Sequence, residues 1–96
     1  MKTTTKLKTI QTSASGTVFV SLADEVCDEV YINNRSGQSL DIRIAPGTTE
    51  HVLENGLGRG YSIQKNAKEV SIKRTDDSTS QVTVEYTTIR RNPNNW

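Results

Sequence analysis

An all-β fold, a small antiparallel β-sandwich of jelly-roll type with extended terminal arms, is what this sequence predicts on three observations. Apolar residues alternate with polar ones at a period of two over most of the chain. Turn-forming residues recur at the intervals that short antiparallel strands require. No window of a dozen residues repeats apolar residues at i, i+3, i+4 and i+7, so helices are confined to single turns.

The elements follow in chain order. An extended piece is expected around Leu7–Thr12, within a basic, hydroxyl-rich segment at 1–15 where β-branched Thr3, Thr4 and Thr5 favour extended backbone. After Ser13-Ala14-Ser15-Gly16 a strand is expected at Thr17–Leu22. Leu22 to Cys27, with Ala23-Asp24-Glu25, is the one candidate for a helical turn. Glu29–Asn33 alternates through Val30 and Ile32 and stops at Asn33-Asn34-Arg35-Ser36-Gly37. Leu40-Asp41-Ile42-Arg43-Ile44 makes the centre of a strand at Ser39–Ile44, ended by Pro46-Gly47. Strands at Glu50–Leu53 and Gly60–Gln64 flank Asn55-Gly56-Leu57-Gly58, and Lys65-Asn66 ends the second. Glu69–Arg74 carries Val70 and Ile72 up to Asp76-Asp77-Ser78, and Gln81–Ile89 carries Val82, Val84 and Tyr86.

This arrangement points Val18, Val20, Leu22, Val30, Ile32, Leu40, Ile42, Ile44, Ile63, Val70, Ile72, Val82 and Val84 inward. Each contributes about 1.5–3 kcal/mol when fully buried. The sandwich then occupies 16–89, with an amino-terminal arm at 1–15 and a polar tail at 90–96. Neither end has enough apolar surface to order itself alone, so both are expected to be loose unless a neighbour ties them down.

Composition narrows the functions. Ninety-six residues, 32% hydrophobic and 5% aromatic, make one small domain. Twelve Lys and Arg against 11 Asp and Glu leave a net charge of +1, too little to gather a nucleic acid. Arg35, Arg43, Lys73 and Arg74 are spread over several strands and make no basic stripe. The longest apolar run is Val18-Phe19-Val20, against the roughly 20 residues that a spanning helix needs. Neither nucleic acid nor a membrane is therefore expected as a partner. Met1 to Ser15 has basic residues but no apolar stretch of the kind a secretory signal carries. Synthesis in the cytoplasm of whichever cell makes it is expected, and the Asn34-Arg35-Ser36 glycosylation sequon has no use there.

Catalytic parts are scarce. Cys27 is the only cysteine and His51 the only histidine, so no intrachain disulfide or cysteine zinc site is expected. A Cys27–His51 nucleophile and base is disfavoured by the acids around the thiol, and His51 reads as an exposed strand residue. Asp24, Glu25, Asp28 and Glu29 lack the alternating spacing and bend glycine of a calcium loop and read as an acidic turn. Asp76-Asp77 reads as a turn as well. Gly56-Leu57-Gly58-Arg59-Gly60 is followed by strand rather than helix, so it reads as an irregular connection needing positive φ, not a phosphate loop. No catalytic residue, cofactor or metal is expected.

What remains points to association. A chain this small and poor in aromatics is a candidate for support by oligomerisation, with a homotrimer favoured. Outward positions such as Ser71, Thr83, Thr87 and Thr88 carry hydroxyls rather than charge. Lys2, Lys6, Lys8, Arg90 and Arg91 sit at the two ends, while Asp24, Glu25, Asp28 and Glu29 lie together. Basic arms, with Trp96 at the end of one, reaching an acidic turn on the next subunit would fix the partner geometry. A carbohydrate-binding or other small β binding module is the alternative, with Tyr31, Tyr61 and Trp96 as the supply of stacking rings for sugars.

Three pieces resemble small virion proteins of tailed bacteriophages: Val30-Tyr31-Ile32-Asn33-Asn34-Arg35-Ser36-Gly37, Ile44-Ala45-Pro46-Gly47-Thr48, and Ser71-Ile72-Lys73-Arg74-Thr75-Asp76-Asp77-Ser78 running into Gln81-Val82-Thr83-Val84. The resemblance spans roughly residues 29 to 86 and lies in turn motifs. It implies a decoration (cement) or adaptor protein of the head or tail, bound to a major capsid or other virion protein. Its motifs are structural, so no functional residue carries over.

Overall fold

The structure, a computed structural model, describes residues 2–92. Its strands are β1 (Lys2–Gln11), β2 (Val20–Ser21), β3 (Glu29–Asn33), β4 (Leu40–Ile44), β5 (Glu50–Leu53), β6 (Gly58–Ser62), β7 (Val70–Arg74) and β8 (Thr83–Asn92). They form two four-stranded sheets, ordered β1-β8-β3-β6 and β2-β7-β4-β5, in which all the pairings are antiparallel. First pairs with eighth, second with seventh, third with sixth and fourth with fifth. A long hairpin rolled up so that alternate pairs fall in opposite sheets has this order, and it is a jelly roll.

The core lies between the sheets. Val30, Ile32, Leu40, Ile42, Val70, Ile72, Val84 and Tyr86 alternate inward along their strands and are buried, joined by Leu22, Cys27, Leu53, Tyr61 and Ala67. The period-two pattern therefore becomes one apolar layer with a wet surface on either side. Val18 is an exception. The chain turns before it, Val18 N–H donating to the Ser15 carbonyl, and the side chain is 50% exposed. Expected strand Thr17–Leu22 accordingly shrinks to the two residues of β2.

Further expectations are corrected. The helical turn forms at Ala67–Glu69 as a short 3-10 turn rather than at Leu22–Cys27. Asn66 caps it and Glu69 closes the capping box, its carboxylate accepting from the backbone N–H groups of Gln64, Lys65 and Asn66 at 2.8 Å each. Residues 2–11, read as part of a loose arm, are strand β1, paired with β8 from Lys2↔Asn92 to Gln11↔Thr83. Backbone hydrogen bonds and β-branched threonines order this segment, although it has few apolar groups to bury.

Glycines 58 and 60 belong to β6, not to a loop. Tyr31 lies across them on the outer face, where a Cβ at Gly58 would collide with the tyrosine ring. Bare backbone on the edge strand is thus covered by a neighbour's ring. Gly56, at φ +90, does supply the positive φ expected in that connection.

Candidate interaction surface

Strand alternation decides where the terminal charges go. Ile10 packs against the core and stands opposite Val84, so the even residues of β1, Lys6 and Lys8 among them, share the inner face. Just beyond the end of short β2, that face meets the acidic turn. Lys6 Nζ lies 2.9 Å and Lys8 Nζ 3.6 Å from the same Glu25 oxygen. The Lys6 ammonium above all holds the Glu25 carboxyl below its ordinary range.

The turn is fastened from behind. Asn66 Oδ1 accepts from Glu25 N–H at 3.1 Å, Asn66 Nδ2 donates to Asp24 at 2.7 Å, and Ala67 N–H donates to the Glu25 carbonyl at 2.9 Å. The residue that caps the 3-10 turn therefore also presents the acidic turn to β1. Asp28 and Glu29 serve the other terminal strand. Asp28 Oδ2 accepts from Arg91 N–H at 2.6 Å, and the Arg91 guanidinium reaches Glu29 at 3.1 Å.

Opposite charges at the ends and at the turn do meet, and they meet within one chain. Pairs this exposed contribute little to stability; they fix the register of the β1–β8 ribbon on the body. Thr4, Lys6, Thr88 and Arg90 form one wall of a groove of about 430 Å³, with Asp24, Glu25 and Val26 as the other. Lys2 is placed by its backbone at the start of β1, opposite Asn92. Trp96 lies outside the described residues.

The outer face of the second sheet is also internally balanced. Arg43 pairs with Glu50 at 2.6 Å and stacks over Phe19 at 4.0 Å, while Lys73 pairs with Asp41 at 3.2 Å and with Asp77. Arg74 turns inward, is buried, and makes a two-pronged contact with Asp76 at 2.9 and 2.7 Å plus a bond to the Ser80 carbonyl. Three of the four basic residues noted in the sequence as scattered thus each face a carboxylate.

Cys27 and His51 are not assembled for chemistry. Burial, and then the charge of Glu25, push the Cys27 thiol up, away from the thiolate. His51 is not the exposed residue expected from the sequence. Opposite Ile42 in β5, it points inward, and its Nε2 shares a 2.8 Å hydrogen bond with the buried Tyr61 hydroxyl. It therefore links edge strand β5 of one sheet to edge strand β6 of the other.

That link gives a pH prediction. Burial first, and the nearby Arg59 second, hold the His51 imidazole below its ordinary value. Its neutral form is favoured in the folded chain, so the unfolded chain binds more protons. The contribution is complete above the unfolded value of about 6.5 and is lost as pH falls through the lower folded value. Urea midpoints should decline between pH 7.5 and 5.5, and His51→Gln should flatten that decline. An equal slope in the variant would remove His51 as its source.

No protein-family model matches this sequence, and no curated protein matches it. Fold and surface define the class: a small jelly-roll β-sandwich whose terminal ribbon is locked by its own acidic turn. Among the described residues no group of three His, Cys, Asp or Glu could hold a metal ion, and no helix is long and apolar enough to cross a membrane.

Proposed function

We propose that this chain is a non-enzymatic structural protein of a bacteriophage particle, a decoration or cement protein that associates with its own copies and with the capsid lattice. The jelly-roll strand order is the observation that carries the reading, since virion proteins are prominent among the users of this architecture. The resemblance of its turn motifs to those of small phage virion proteins supports it. Many weak contacts repeated over a lattice would add to a strong one. With Lys6, Lys8 and Arg91 paired within the chain, the contacts fall to the hydroxyl-rich outer face of the first sheet and to the free edges rather than to charged arms.

Two measurements test it. Mass spectrometry of purified particles from cells carrying the gene should find the protein at many copies per particle. Light scattering should find a trimer that persists at high salt. Absence from particles overturns the virion assignment, and a monomer at every concentration overturns self-association.

One observation favours a carbohydrate-binding module as a second reading. Tyr31 lies flat over glycine backbone with 42% of its surface exposed, whereas Tyr61, expected as a second platform, is buried. Glycan-array binding that disappears in Tyr31→Ala would move the assignment to that class.

A further inference from the structure

Four strands border the two sheets: β1 and β6 in one, β2 and β5 in the other. Three of these edges are short, at five, two and four residues. β1 has ten residues, paired with β8 in unbroken register, without a proline, glycine or bulge. Folded proteins usually blunt such an edge because its unpaired backbone groups recruit another strand. Thr12 N–H donates to the Val82 carbonyl in the same register. By the alternation of an antiparallel ladder, the even residues of β1 bond to β8, and Thr3, Thr5, Leu7 and Thr9 turn their N–H and C=O groups to the open edge. Leu7 is 74% exposed at the middle of it.

Charge selects the occupant. Lys6 and Lys8 lie side by side on the inner face and share the single carboxylate of Glu25. In the antiparallel register that uses the whole strand, centred on Leu7, a second copy of β1 would set its Lys8 opposite Lys6. In-register parallel pairing would stack each lysine on its twin. Like charges directly opposite are unfavourable, so the full-length registers disfavour self-pairing. A foreign strand with carboxylates at alternate positions would place them beside the two ammonium groups.

We propose that the free edge of β1 is a strand-addition site for an extended segment of a partner protein carrying Asp or Glu at every second residue. Backbone hydrogen bonds to Thr3, Thr5, Leu7 and Thr9 would give affinity, and Lys6 and Lys8 would give selectivity. The inference goes beyond the virion reading and does not depend on it. Absence of the protein from particles would leave it standing, and its failure would leave the particle assignment standing.

The test uses three synthetic decapeptides: alternating Thr and Glu, alternating Thr and Lys, and the Thr/Glu peptide N-methylated at alternate residues. Amide hydrogen exchange of the full chain is followed by NMR. At about ten times its Kd, the Thr/Glu peptide should slow exchange at Thr3, Thr5, Leu7 and Thr9 by about tenfold, and the other two should not. Leu7→Pro removes an edge N–H without touching the β8 ladder, so it should fold and fail to respond. If that variant does not fold, the N-methylated peptide carries the same control. No slowing at millimolar Thr/Glu peptide, equal slowing by the Thr/Lys peptide, or a dimer whose interface protects β1 would each overturn the proposal.

Discussion

Replacing Asn34 with alanine is expected to remove about 3–4 kcal/mol of stability, more than the loss of many apolar core groups. Asn34 is completely buried. Its Nδ2 donates to the carbonyls of Gln38 at 2.9 Å and Leu53 at 2.8 Å, and its Oδ1 accepts from the N–H and hydroxyl of Ser36. Its backbone joins the next turn as well, donating to the Leu57 carbonyl and accepting from Gly56 N–H. One amide thus ties the β3–β4 turn, the end of β5 and the β5–β6 turn together. Alanine would delete these four side-chain hydrogen bonds, at about 0.5–1.5 kcal/mol each, although the Gln38 carbonyl keeps the Ser36 hydroxyl and the Leu53 carbonyl keeps its β4 partner. In a domain of this size that is a fall in Tm of roughly 12–25 °C. Arg35→Ala, next along the chain and exposed, should stay within about 0.5 kcal/mol.

The same site supplies a sharper test. Asn34→Asp keeps the shape but turns a carboxylate toward two carbonyl oxygens in a dry site. Its folded pKa must rise above the unfolded value of about 3.9, because only the protonated acid can donate to a carbonyl. Relative to the parent chain, stability should therefore be best preserved below the unfolded pKa and lost as pH rises through the folded one. Urea unfolding of both proteins at pH 4 and pH 7 measures the difference. A deficit that does not grow with pH would show that the side chain is not donating as described.

Asn34 also shows how little of a site a local motif can reveal. In the sequence it is the first residue of a sequon and the second of a turn cluster. In the fold both its amide protons are engaged and it has no exposed surface, so the folded chain presents no acceptor for a sugar. Gln38 and Ser36 lie in its own turn, but what buries Asn34 rather than Asn33 is the Leu53 carbonyl, which arrives from the end of β5. The buried residues that alternation fixes were legible for the opposite reason. Val30 and Ile32, or Leu40 and Ile42, are neighbours on one strand face, and period two assigns them without knowledge of the partner strand.

Legibility fails in the same way at the ends. Thr3 to Lys8 look like a tail because they bring little apolar surface, and their partner, β8, lies some eighty residues on. Complementary charge between the ends and the acidic turn is visible in the sequence. What composition does not carry is whether the meeting is within a chain or between chains. The rolled hairpin answers that by bringing β1 and β8 beside the β2–β3 connection, where Lys6, Lys8 and Arg91 find Glu25, Asp28 and Glu29. The sequence leaves His51 on the outside because Glu50–Leu53 has no clear apolar alternation. Its inward position follows from pairing with Ile42 and from a tyrosine on the other sheet.

Gly16→Ala is expected to cost about 3 kcal/mol, at the upper end of overpacking substitutions. Gly16 is buried in the β1–β2 connection, and its Cα faces the backbone of the β7–β8 turn. A Cβ there would lie 2.6 Å from the Ser78 carbonyl oxygen and closer still to the carbonyl of Asp77. No side chain can rotate away, because the colliding atoms are main chain, and Asp77 is already held at a positive φ of 60°. One of the two connections must move. Nearby, Thr12 clamps them: its N–H donates to the Val82 carbonyl, its hydroxyl accepts from Val82 N–H, and its carbonyl accepts from Gln81. Hydrogen exchange should therefore quicken first at Thr12 and Val82, while amides of β4 remain protected until global unfolding. Gly47→Ala is the control, since its Cβ would approach only the Ile44 carbonyl at 3.2 Å on an exposed turn, and about 1 kcal/mol or less is expected. Equal losses in the two variants would mean that the turn yields freely. Loss confined to Gly16→Ala, with exchange opening at the Thr12 clamp, would identify this backbone contact as what closes the end of the β1–β8 ribbon.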